Sequence, residues 1–514
     1  MNMGTRARQS ALAVLLRGVL VLVSMSGVVE QVAGAGEPLA LNPGQMYLVF
    51  DPRLRGVGEN CDLKLHQFRR HPGHPVLKPE FPWEFGMRLG GTVLWEPDNG
   101  LFKMWYYAGS GNRYIGYAES KDGIRWQKPR LGLYAVEGIK DNNLTFIGVY
   151  NPCVCRDLTA SDPAKRYVMW ALQTRDSPDG VKANYSVYRF FSADGKRWTR
   201  ASRTPAIPGY PTRYRPTYPG EPKRELVEGV AADHSYTFWV APLKKFVCFH
   251  KVEPPNPRRA PDMNPKNARC RQFARFESND GVNWNTDRPT WALVPDEKDD
   301  QFDRYIQFYG MGFHAVGDFY LATTMLYHSA ATNDHLEVGL AYSTDTIHWH
   351  RPWRDQYILP HGAEGEFDWG QTRQAVNIVE KDGMWWLYYG GLPNTHYDKG
   401  VPRDYAALGL AQMPRGRVVS ARCWRKQGSW TLGPVQLAGK ELRLNARVSG
   451  ALLRVVILDE NGKPIPGYDR TISGIDETEF PVDWGKADLA ALKDKAVKLR
   501  FELNNAEVFG FTCR

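Results

Sequence analysis

The chain has 514 residues, a formal net charge of +10, and a composition that is 43% hydrophobic and 12% aromatic. It is longer than the roughly 300 residues at which a single hydrophobic core stops growing, so we expect two domains. The 17 tryptophans and 25 tyrosines favour β structure and aromatic-lined surfaces. The positive charge suits an acidic or neutral partner. Because the sequence carries no nucleic-acid-binding motif, we expect no nucleic-acid partner.

The first 35 residues have the pattern of an export signal. Arg6 and Arg8 precede the apolar run ALAVLLRGVLVLVSMSGVV, and the AGA at residues 33–35 provides a small-x-small cleavage site. Arg17 interrupts the apolar run, which argues against a permanent membrane anchor, and no later stretch is apolar enough to span a bilayer. We therefore predict a secreted or periplasmic protein without a stable membrane anchor after cleavage.

A short motif, Ser-x-Asp-(Gly or Thr)-x-x-Trp, occurs four times in the chain. Its serines are Ser120, Ser192, Ser278 and Ser343, and aromatic-rich strand patterns precede each copy. Four strands per unit of ~40–80 residues are typical of a β-propeller blade. Aspartate and serine side chains hold a tight turn, glycine permits a positive φ, and the tryptophan is expected to pack between neighbouring blades. We therefore interpret the motif as scaffold.

A fifth unit lacks the motif. FDWGQTRQAVNIVEKDGMWWLYYGG and YAALGLAQMP supply its strands, which makes five blades over residues 81–425. Beyond Gly428 tryptophan becomes less frequent. Strand patterns in which apolar and polar residues alternate, with an Asn461-Gly462 hairpin turn, predict a separate β-sandwich at residues 428–514. Residues 36–80 form a lead segment with one strand, QMYLVFDP, which covers the closing edge of the propeller or packs on the sandwich. The predicted fold class is all-β, a five-bladed β-propeller followed by a β-sandwich.

These repeats, the opening HPGHPVLKPEFPWEFGMRLGGTVLWEP and the later phrases LYYGG and ALGLAQMPRGRVV resemble the arabinanase and levanase type of glycosidase. That assemblage includes the β-fructosidases and glycoside hydrolase family 43, and the resemblance covers approximately residues 74–514. It implies an active site on the propeller axis, where three acidic residues begin the innermost strands of the first three blades. One aspartate is the base or nucleophile, a second tunes the pKa, and a glutamate is the general acid.

The acids of this chain match that trio incompletely. Glu84 is the nearest acid before the first inner strand, Asn151 stands where an aspartate is expected in the second, and Asp233 enters the third. Asp368 enters the fifth inner strand. We assign Asp233, Asp368 and Glu84 as the candidate catalytic residues. For each of them, a place in a turn, a cap or a covering loop is the alternative.

Polar and aromatic residues near the same strand entrances are the candidate substrate ligands. Arg88 and Arg373 would clamp a carboxylate or sulfate on a sugar, since a guanidinium binds such groups in bidentate fashion. Aromatic rings stack on sugars, but in a blade they also serve as core residues. The full set is Arg88, Glu228, His234, Gln307, Tyr309, His328, Trp369, Arg373 and His396. His71 and His74 are flanked by prolines and have no third ligand nearby, so we expect no metal and no cofactor.

The sequence therefore predicts an exported glycoside hydrolase whose partner is a carbohydrate, with acidic or sulfated sugars among the candidates. A non-catalytic glycan-binding propeller is the alternative, because the acidic trio is incomplete in the first two blades. A structural propeller that binds a partner is a third interpretation.

Overall fold

The computed structural model describes residues 37–109, 113–158, 160–209, 212–214, 227–229, 231–254, 270–286, 289–303, 305–330, 334–396, 406–423, 427–450 and 452–514. Of residues 212–214, 227–229, 231–232 and 301–303 it describes the backbone alone. Strands and short 3₁₀ helices make up these ranges, which confirms the predicted all-β class. None of the helices in these ranges is long and apolar enough to cross a membrane.

Five short strands precede the propeller. They are β1 (Leu39–Ala40), β2 (Met46–Leu48), β3 (Val57–Glu59), β4 (Cys61–Leu65) and β5 (Arg69–Arg70). The sequence predicts only one strand in this segment, because runs of two or three residues are too short to show an alternation of apolar and polar side chains.

The propeller strands then follow in chain order. They are β6 (Val93–Glu96), β7 (Leu101–Tyr107), β8 (Tyr114–Ser120), β9 (Leu144–Ile147), β10 (Val149–Arg156), β11 (Tyr167–Gln173), β12 (Val187–Ser192), β13 (Thr199–Arg200), β14 (Thr212–Tyr214), β15 (Val227–Gly229), β16 (Ala231–Val240), β17 (Lys245–Val252), β18 (Gln272–Ser278), β19 (Thr290–Leu293), β20 (Ile306–Val316), β21 (Phe319–His328), β22 (Leu336–Ser343), β23 (Gln371–Gln374), β24 (Val379–Lys381), β25 (Met384–Leu392) and β26 (Ala407–Pro414).

These strands form five blades, as the repeats predict. β6–β9, β10–β13 and β16–β19 are the first three, each an antiparallel sheet in sequence order. β20–β22 form the fourth, and a bridge between Val338 and Leu359 extends its outer edge. β23–β26 form the fifth. Strands β14 and β15 pair with each other before the third blade begins.

The first and last parts of the propeller close the ring. Strand β5 pairs with β26 and so supplies the outer strand of the fifth blade from the N-terminal segment. On the inner side, Asn377 of the fifth blade accepts a hydrogen bond from Val93 N of the first blade and donates one to Val93 O, at 3.2 and 2.8 Å. These bonds join the first and fifth blades where the ring closes.

The repeated motif forms the same corner in all four blades that carry it. In the first, Ser120 Oγ accepts from Gly123 N at 2.9 Å, and Asp122 Oδ1 accepts from the two following backbone N–H groups. Gly123 has a φ of +74°, and Thr346 occupies the same left-handed position in the fourth corner with a φ of 66°. The other three corners repeat the serine and aspartate bonds. The side chains are thus used within the turn, as expected of a scaffold motif.

Neighbouring blades pack through these corners. The Trp126 ring contacts the Tyr388 ring of the fifth blade with centroids 5.6 Å apart, and Tyr388 donates its hydroxyl to Gly123 O at 2.8 Å. Trp105 of the first blade donates in the same way to Gly195 O in the corner of the second, at 2.7 Å. Each of these aromatic donors therefore joins its blade to the next one around the ring.

The C-terminal strands form a two-sheet sandwich. They are β27 (Val419–Cys423), β28 (Gly428–Gln436), β29 (Leu442–Val448), β30 (Leu452–Asp459), β31 (Pro464–Ile472), β32 (Ile475–Pro481), β33 (Ala496–Asn504) and β34 (Glu507–Cys513). One sheet has the order β1-β28-β33-β30-β31 with β3 on β28, and the other has β32-β29-β34-β27-β4 with β2 on β34. The lead segment therefore contributes four strands to the sandwich and one to the propeller, and β27 pairs with the sandwich although its residues fall within the range predicted for the propeller.

Candidate active site

All five blades present polar side chains where their inner strands begin. Arg88 precedes β6, Asn151 lies in β10, His234 in β16, Tyr309 in β20 and Arg373 in β23. Asn151 Nδ2 is 3.0 Å from His234 Nδ1, the His234 and Tyr309 ring centroids are 5.2 Å apart, and the Arg373 guanidinium lies 4.8 Å from the Tyr309 centroid. Side chains from loops far apart in sequence thus meet at the centre of the ring. We call the group the axial cluster, comprising Arg88, Arg113, Tyr150, Asn151, Asp233, His234, Lys251, Glu253, Arg271, Gln307, Tyr309, Arg373 and His396.

Asp233 is the carboxylate at the centre of this cluster. Its Oδ1 accepts a hydrogen bond from Lys251 Nζ at 2.7 Å, and Glu253 Oε1 lies 3.3 Å from the same ammonium. The Lys251 side chain is 1% exposed, whereas that of Asp233 is 32% exposed. Burial alone would raise the pKa of Asp233, but the charge of Lys251 outweighs it and holds that pKa well below its ordinary value. Asp233 is therefore ionised and reachable from solvent.

His234 lies beside this carboxylate and is neutral. Burial and the charge of Lys251 hold the pKa of His234 well below its ordinary value. Its Nδ1 faces the Asn151 amide nitrogen at 3.0 Å and the Tyr236 hydroxyl at 2.6 Å, and both of these donate to it. The ring proton is therefore on Nε2. That atom is buried, has no hydrogen-bond partner in the described ranges, and lies 3.7 Å from Asp233 Oδ1.

Three arginines of the cluster have no carboxylate partner among the described residues. Arg373 is 3% exposed and donates to Gln371 Oε1, with Nε at 2.9 Å, and its Nη2 is 3.4 Å from His396 Nδ1. The Arg88 and Arg113 guanidinium groups lie 5.7 and 5.6 Å from the centroid of the Tyr107 ring.

The three guanidinium groups differ in their electrostatic surroundings. Burial would lower the pKa of Arg113, but its neighbours, Tyr150 and Asp233 among them, outweigh burial and raise that pKa. Burial and the charge of Arg88 lower the pKa of Arg373. Arg373 is thus a buried cation beside a like charge and without an ion-pair partner in the described ranges, which is typical of a site that is shaped for a ligand.

Further predicted ligands complete the wall of the cluster. Gln307 Oε1 accepts from Arg271 Nη1 at 2.9 Å, and the Lys251 ammonium lies 4.2 Å from the centroid of the Tyr309 ring. The His396 ring is 4.9 Å from Tyr309, and burial together with the Arg373 charge holds its pKa well below the ordinary value. The structure thus brings together seven residues singled out in the sequence: Arg88, Asp233, His234, Gln307, Tyr309, Arg373 and His396.

Glu84 does not belong to this cluster. The 3₁₀ turn Pro82–Glu84 directs its side chain into the first blade, where it is fully buried. Its carboxylate accepts from the Tyr106 hydroxyl and from Lys128 Nζ, both at 2.6 Å, and from two backbone N–H groups of its own turn. All its contacts are internal to the first blade and its covering loop, so the assignment of Glu84 to the catalytic group is not supported by its surroundings.

Asp368 is also held elsewhere. Its Oδ2 accepts from Arg70 Nε at 2.7 Å and from the Tyr389 hydroxyl at 3.0 Å, and the residue is fully buried. Arg70 lies in β5, the outer strand of the fifth blade, so the ion pair joins the loop before β23 to that outer strand. Asp368 therefore binds the N-terminal segment and makes no hydrogen bond or ion pair with the axial cluster in the described ranges.

His328 and Trp369 lie in a second group on the fourth blade. His328 Nε2 is 2.9 Å from Glu337 Oε2, and the Trp369 ring is 5.2 Å from that of His335, whose ring stacks on His361. The remaining prediction, Glu228, falls on β15, and its side chain is outside the described residues.

The sequence analysis did not single out several members of the cluster. They are Arg113, Tyr150, Lys251, Glu253 and Arg271. Lys251 carried a usable signal, because a lysine in the apolar strand FVCFHKV needs a buried partner. The other charged residues stand in or next to loops, where charge is ordinarily solvated and gives no such signal.

The cluster can hold an anion and offers one well-ionised carboxylate next to a neutral imidazole N–H donor. Among the described residues, no group of three or more histidine, cysteine, aspartate or glutamate side chains is arranged to hold a metal ion. An ionised carboxylate beside an imidazole N–H supports acid–base chemistry on a bound polar molecule.

No family model and no curated protein matches this sequence. The chain is similar to a solved glycosyl hydrolase from Bacteroides ovatus at 16% identity and a TM-score of 0.41, over 68% of this chain and 95% of that one. It is similar to an N-acetylgalactosamine deacetylase from F. plautii in complex with blood group B trisaccharide at 14% identity and a TM-score of 0.39, over 70% and 97% of the two chains. A third solved structure is described with the words "The GH130 family of mannoside phosphorylases contains glycoside hydrolases that target beta-1,2 mannosidic linkages in Candida mannan". The chain is similar to it at 14% identity and a TM-score of 0.39, over 68% of this chain and 95% of that one. Identities and TM-scores of this size establish neither a family nor an activity.

Proposed function

We propose that the protein is an exported glycoside hydrolase that cleaves a glycan at the axial cluster. The observation that carries this proposal is the placement of Asp233. It is an ionised, partly exposed carboxylate at the point where all five blades meet, and it contacts a buried ammonium and faces a neutral imidazole. Hydrolysis of a glycosidic bond requires such a carboxylate as base or nucleophile.

A second carboxyl group is needed to protonate the leaving oxygen. Glu253 is the other carboxyl that contacts Lys251, and its contact of 3.3 Å is longer than that of Asp233 at 2.7 Å. We assign Asp233 as the base or nucleophile and Glu253 as the proton donor. Tyr309 and His396 belong to the same cluster, where their rings meet edge to face with centroids 4.9 Å apart.

Release of reducing ends from a panel of polysaccharides tests the proposal. Asp233→Asn should lower kcat by ~10²–10⁴-fold, since this is the usual contribution of a positioned acid or base. Glu253→Gln should have an effect of similar size. Asp382→Asn, an acid-to-amide change at a turn residue whose side chain is 75% exposed, is the matched control and should leave kcat unchanged. Full activity of Asp233→Asn would remove the assignment.

A glycan-binding propeller without catalysis is the second candidate. It is favoured by one observation: both carboxylates of the cluster contact the same cation, Lys251, whose positive charge stabilises the ionised form of Asp233. Binding of a glycan without turnover, with an affinity that Asp233→Asn does not change, would support this candidate over the hydrolase.

A further inference from the structure

Three cations of the axial cluster make no ion pair in the described ranges, and they lie on one side of the ring. Arg88 and Arg113 belong to the first blade, on either side of strands β6 and β7, and Arg373 belongs to β23 of the fifth blade. The first and fifth blades are neighbours, because they close the ring. The acids of the cluster, Asp233 and Glu253, both belong to the third blade.

None of these three guanidinium groups has a carboxylate within ion-pair distance in the described ranges, although the charge of Asp233 acts on Arg113 at longer range. Arg88 and Arg113 make no side-chain hydrogen bond and no ion pair there, and the Nε atom of each is buried without a partner. Arg373, which is 3% exposed, donates to three neutral side chains, those of Gln371, His396 and Tyr309. A guanidinium in such a place loses its hydration without gaining a counter-charge.

The aromatic rings around them fix their positions. The Arg113 guanidinium lies 4.3 Å from the centroid of Tyr150 and 5.6 Å from that of Tyr107, and Arg88 lies 5.7 Å from the second ring. Cation–π contacts of this kind hold a guanidinium plane in place while leaving its edge free to bind. The site is therefore built in advance of its ligand.

We propose that Arg88, Arg113 and Arg373 bind an anionic substituent of the sugar, a carboxylate or a sulfate ester, on the side of the first and fifth blades. The inference rests on the proposed function and names its substrate class. The charged substituent anchors the sugar on one side of the axis, and the bond to be cleaved then lies toward Asp233 on the third blade. Planar guanidinium groups suit both anions, because both accept two parallel hydrogen bonds.

The test uses an array of neutral, carboxylated and sulfated glycans, probed with Asp233→Asn to prevent turnover. The glycans that bind should all carry an anionic group, and binding should weaken with added salt. The strongest ligand is then titrated calorimetrically against the Arg88→Gln and Arg113→Gln variants, whose side chains are partly exposed. Each variant should bind ~10-fold to 100-fold more weakly. Arg69→Gln, which removes the same charge from an exposed position on β5, should bind as the parent does.

Matched ligands separate the two kinds of anion. A methyl-esterified uronate oligosaccharide that loses binding identifies a carboxylate, and a desulfated oligosaccharide that loses binding identifies a sulfate ester. Inorganic phosphate or sulfate that binds as tightly as the charged glycan would overturn the inference, as would an array that retains only neutral glycans or none.

The outcomes also distinguish this inference from the proposed function. A charged glycan that binds through Arg88 but is never cleaved by the unmodified protein would refute hydrolysis and leave the anion site standing. A neutral glycan that is cleaved equally well by Arg88→Gln and by the parent would refute the anion site and leave hydrolysis standing.

Discussion

The Lys251 ammonium lies 2.7 Å from Asp233 Oδ1 and is almost wholly excluded from solvent, so one buried cation determines the charge state of the central carboxylate. Replacement of Lys251 by Met removes this stabilisation, and burial then raises the pKa of Asp233. The acidic limb of the pH profile of kcat/KM should therefore move to higher pH. Folding stability should fall by about 3–5 kcal/mol, because a carboxylate is left without its partner.

Lys251→Arg is the control for this prediction. It retains the positive charge, so the acidic limb should stay close to that of the parent even if packing costs some stability. An unchanged pH profile in Lys251→Met would show that Asp233 does not titrate in the catalytic step.

The corner glycines should be sensitive according to what surrounds them. Gly123 has a φ of +74°, and a Cβ atom there would lie 2.7 Å from the Tyr388 hydroxyl and 2.9 Å from the Phe102 ring. Gly383 has a similar φ of +70°, but a Cβ there would meet no atom within 4 Å. Gly123→Ala should destabilise the protein by about 2–4 kcal/mol through strain and overpacking, and Gly383→Ala by about 1 kcal/mol through strain alone. Chemical denaturation measures both, and equal losses would show that the contact with Tyr388 is not part of the cost.

The ion pair between Arg70 and Asp368 should act on stability and not on catalysis. Arg70→Met leaves a fully buried carboxylate without a cation and should cost about 3–5 kcal/mol of the free energy of unfolding. The double variant Arg70→Met/Asp368→Leu removes both charges and should recover most of that loss. KM and kcat of the folded fraction should stay unchanged in both. A lowered kcat in the stable double variant would return Asp368 to the list of catalytic candidates.

Stability should decline as pH falls because several histidines are buried in neutral form. Burial lowers the pKa of His250 to about 4, whereas in the unfolded chain it is about 6.5. Below pH ~6.5 His250 becomes protonated in the unfolded chain but stays neutral in the folded protein. The free energy of unfolding therefore falls by about 1.4 kcal/mol per pH unit until the pH reaches the folded-state pKa.

His250→Leu removes this titration. Between pH 6.5 and 4 the variant should lose about 3 kcal/mol less stability than the parent, as measured by urea denaturation at each pH. His314, whose pKa burial also lowers to about 4, offers an independent repeat with His314→Leu. Parallel stability curves for parent and variants would contradict the prediction.

The scaffold could be predicted from the sequence because its signals are local. The serine and aspartate of each corner bond to backbone atoms two or three residues away, so the motif and its structure lie in the same few residues. The closure of the ring was not predictable in the same way. Strand β5 has two residues, and its partner strand β26 lies more than 300 residues later in the chain. A run that short has no periodicity to detect.

The residues of the candidate site also differ in how far the sequence alone could predict their place. Asp233 and His234 could be predicted because they stand in a group of polar residues at the entrance of an apolar inner strand. Glu84 and Asp368 satisfy the same pattern, yet each is paired with a cation that sequence spacing does not reveal, Lys128 in one case and Arg70 in the other. A carboxylate at such an entrance can lie in the axial cluster or form a buried ion pair elsewhere. The orientation of its loop decides between the two, and tertiary contacts set that orientation.

The sequence by itself determined the blade repeats, the sandwich strands and the presence of acids and arginines near the inner strands. Only the tertiary structure decided that three arginines of the first and fifth blades have no ion-pair partner in the described ranges, while Asp233 and Glu253 of the third blade share the cation Lys251. The physical reason is that patterns along the chain reflect bonds within a turn or a hairpin, whereas the electrostatics of the axial cluster depend on distances between blades, which exist only after the ring has closed.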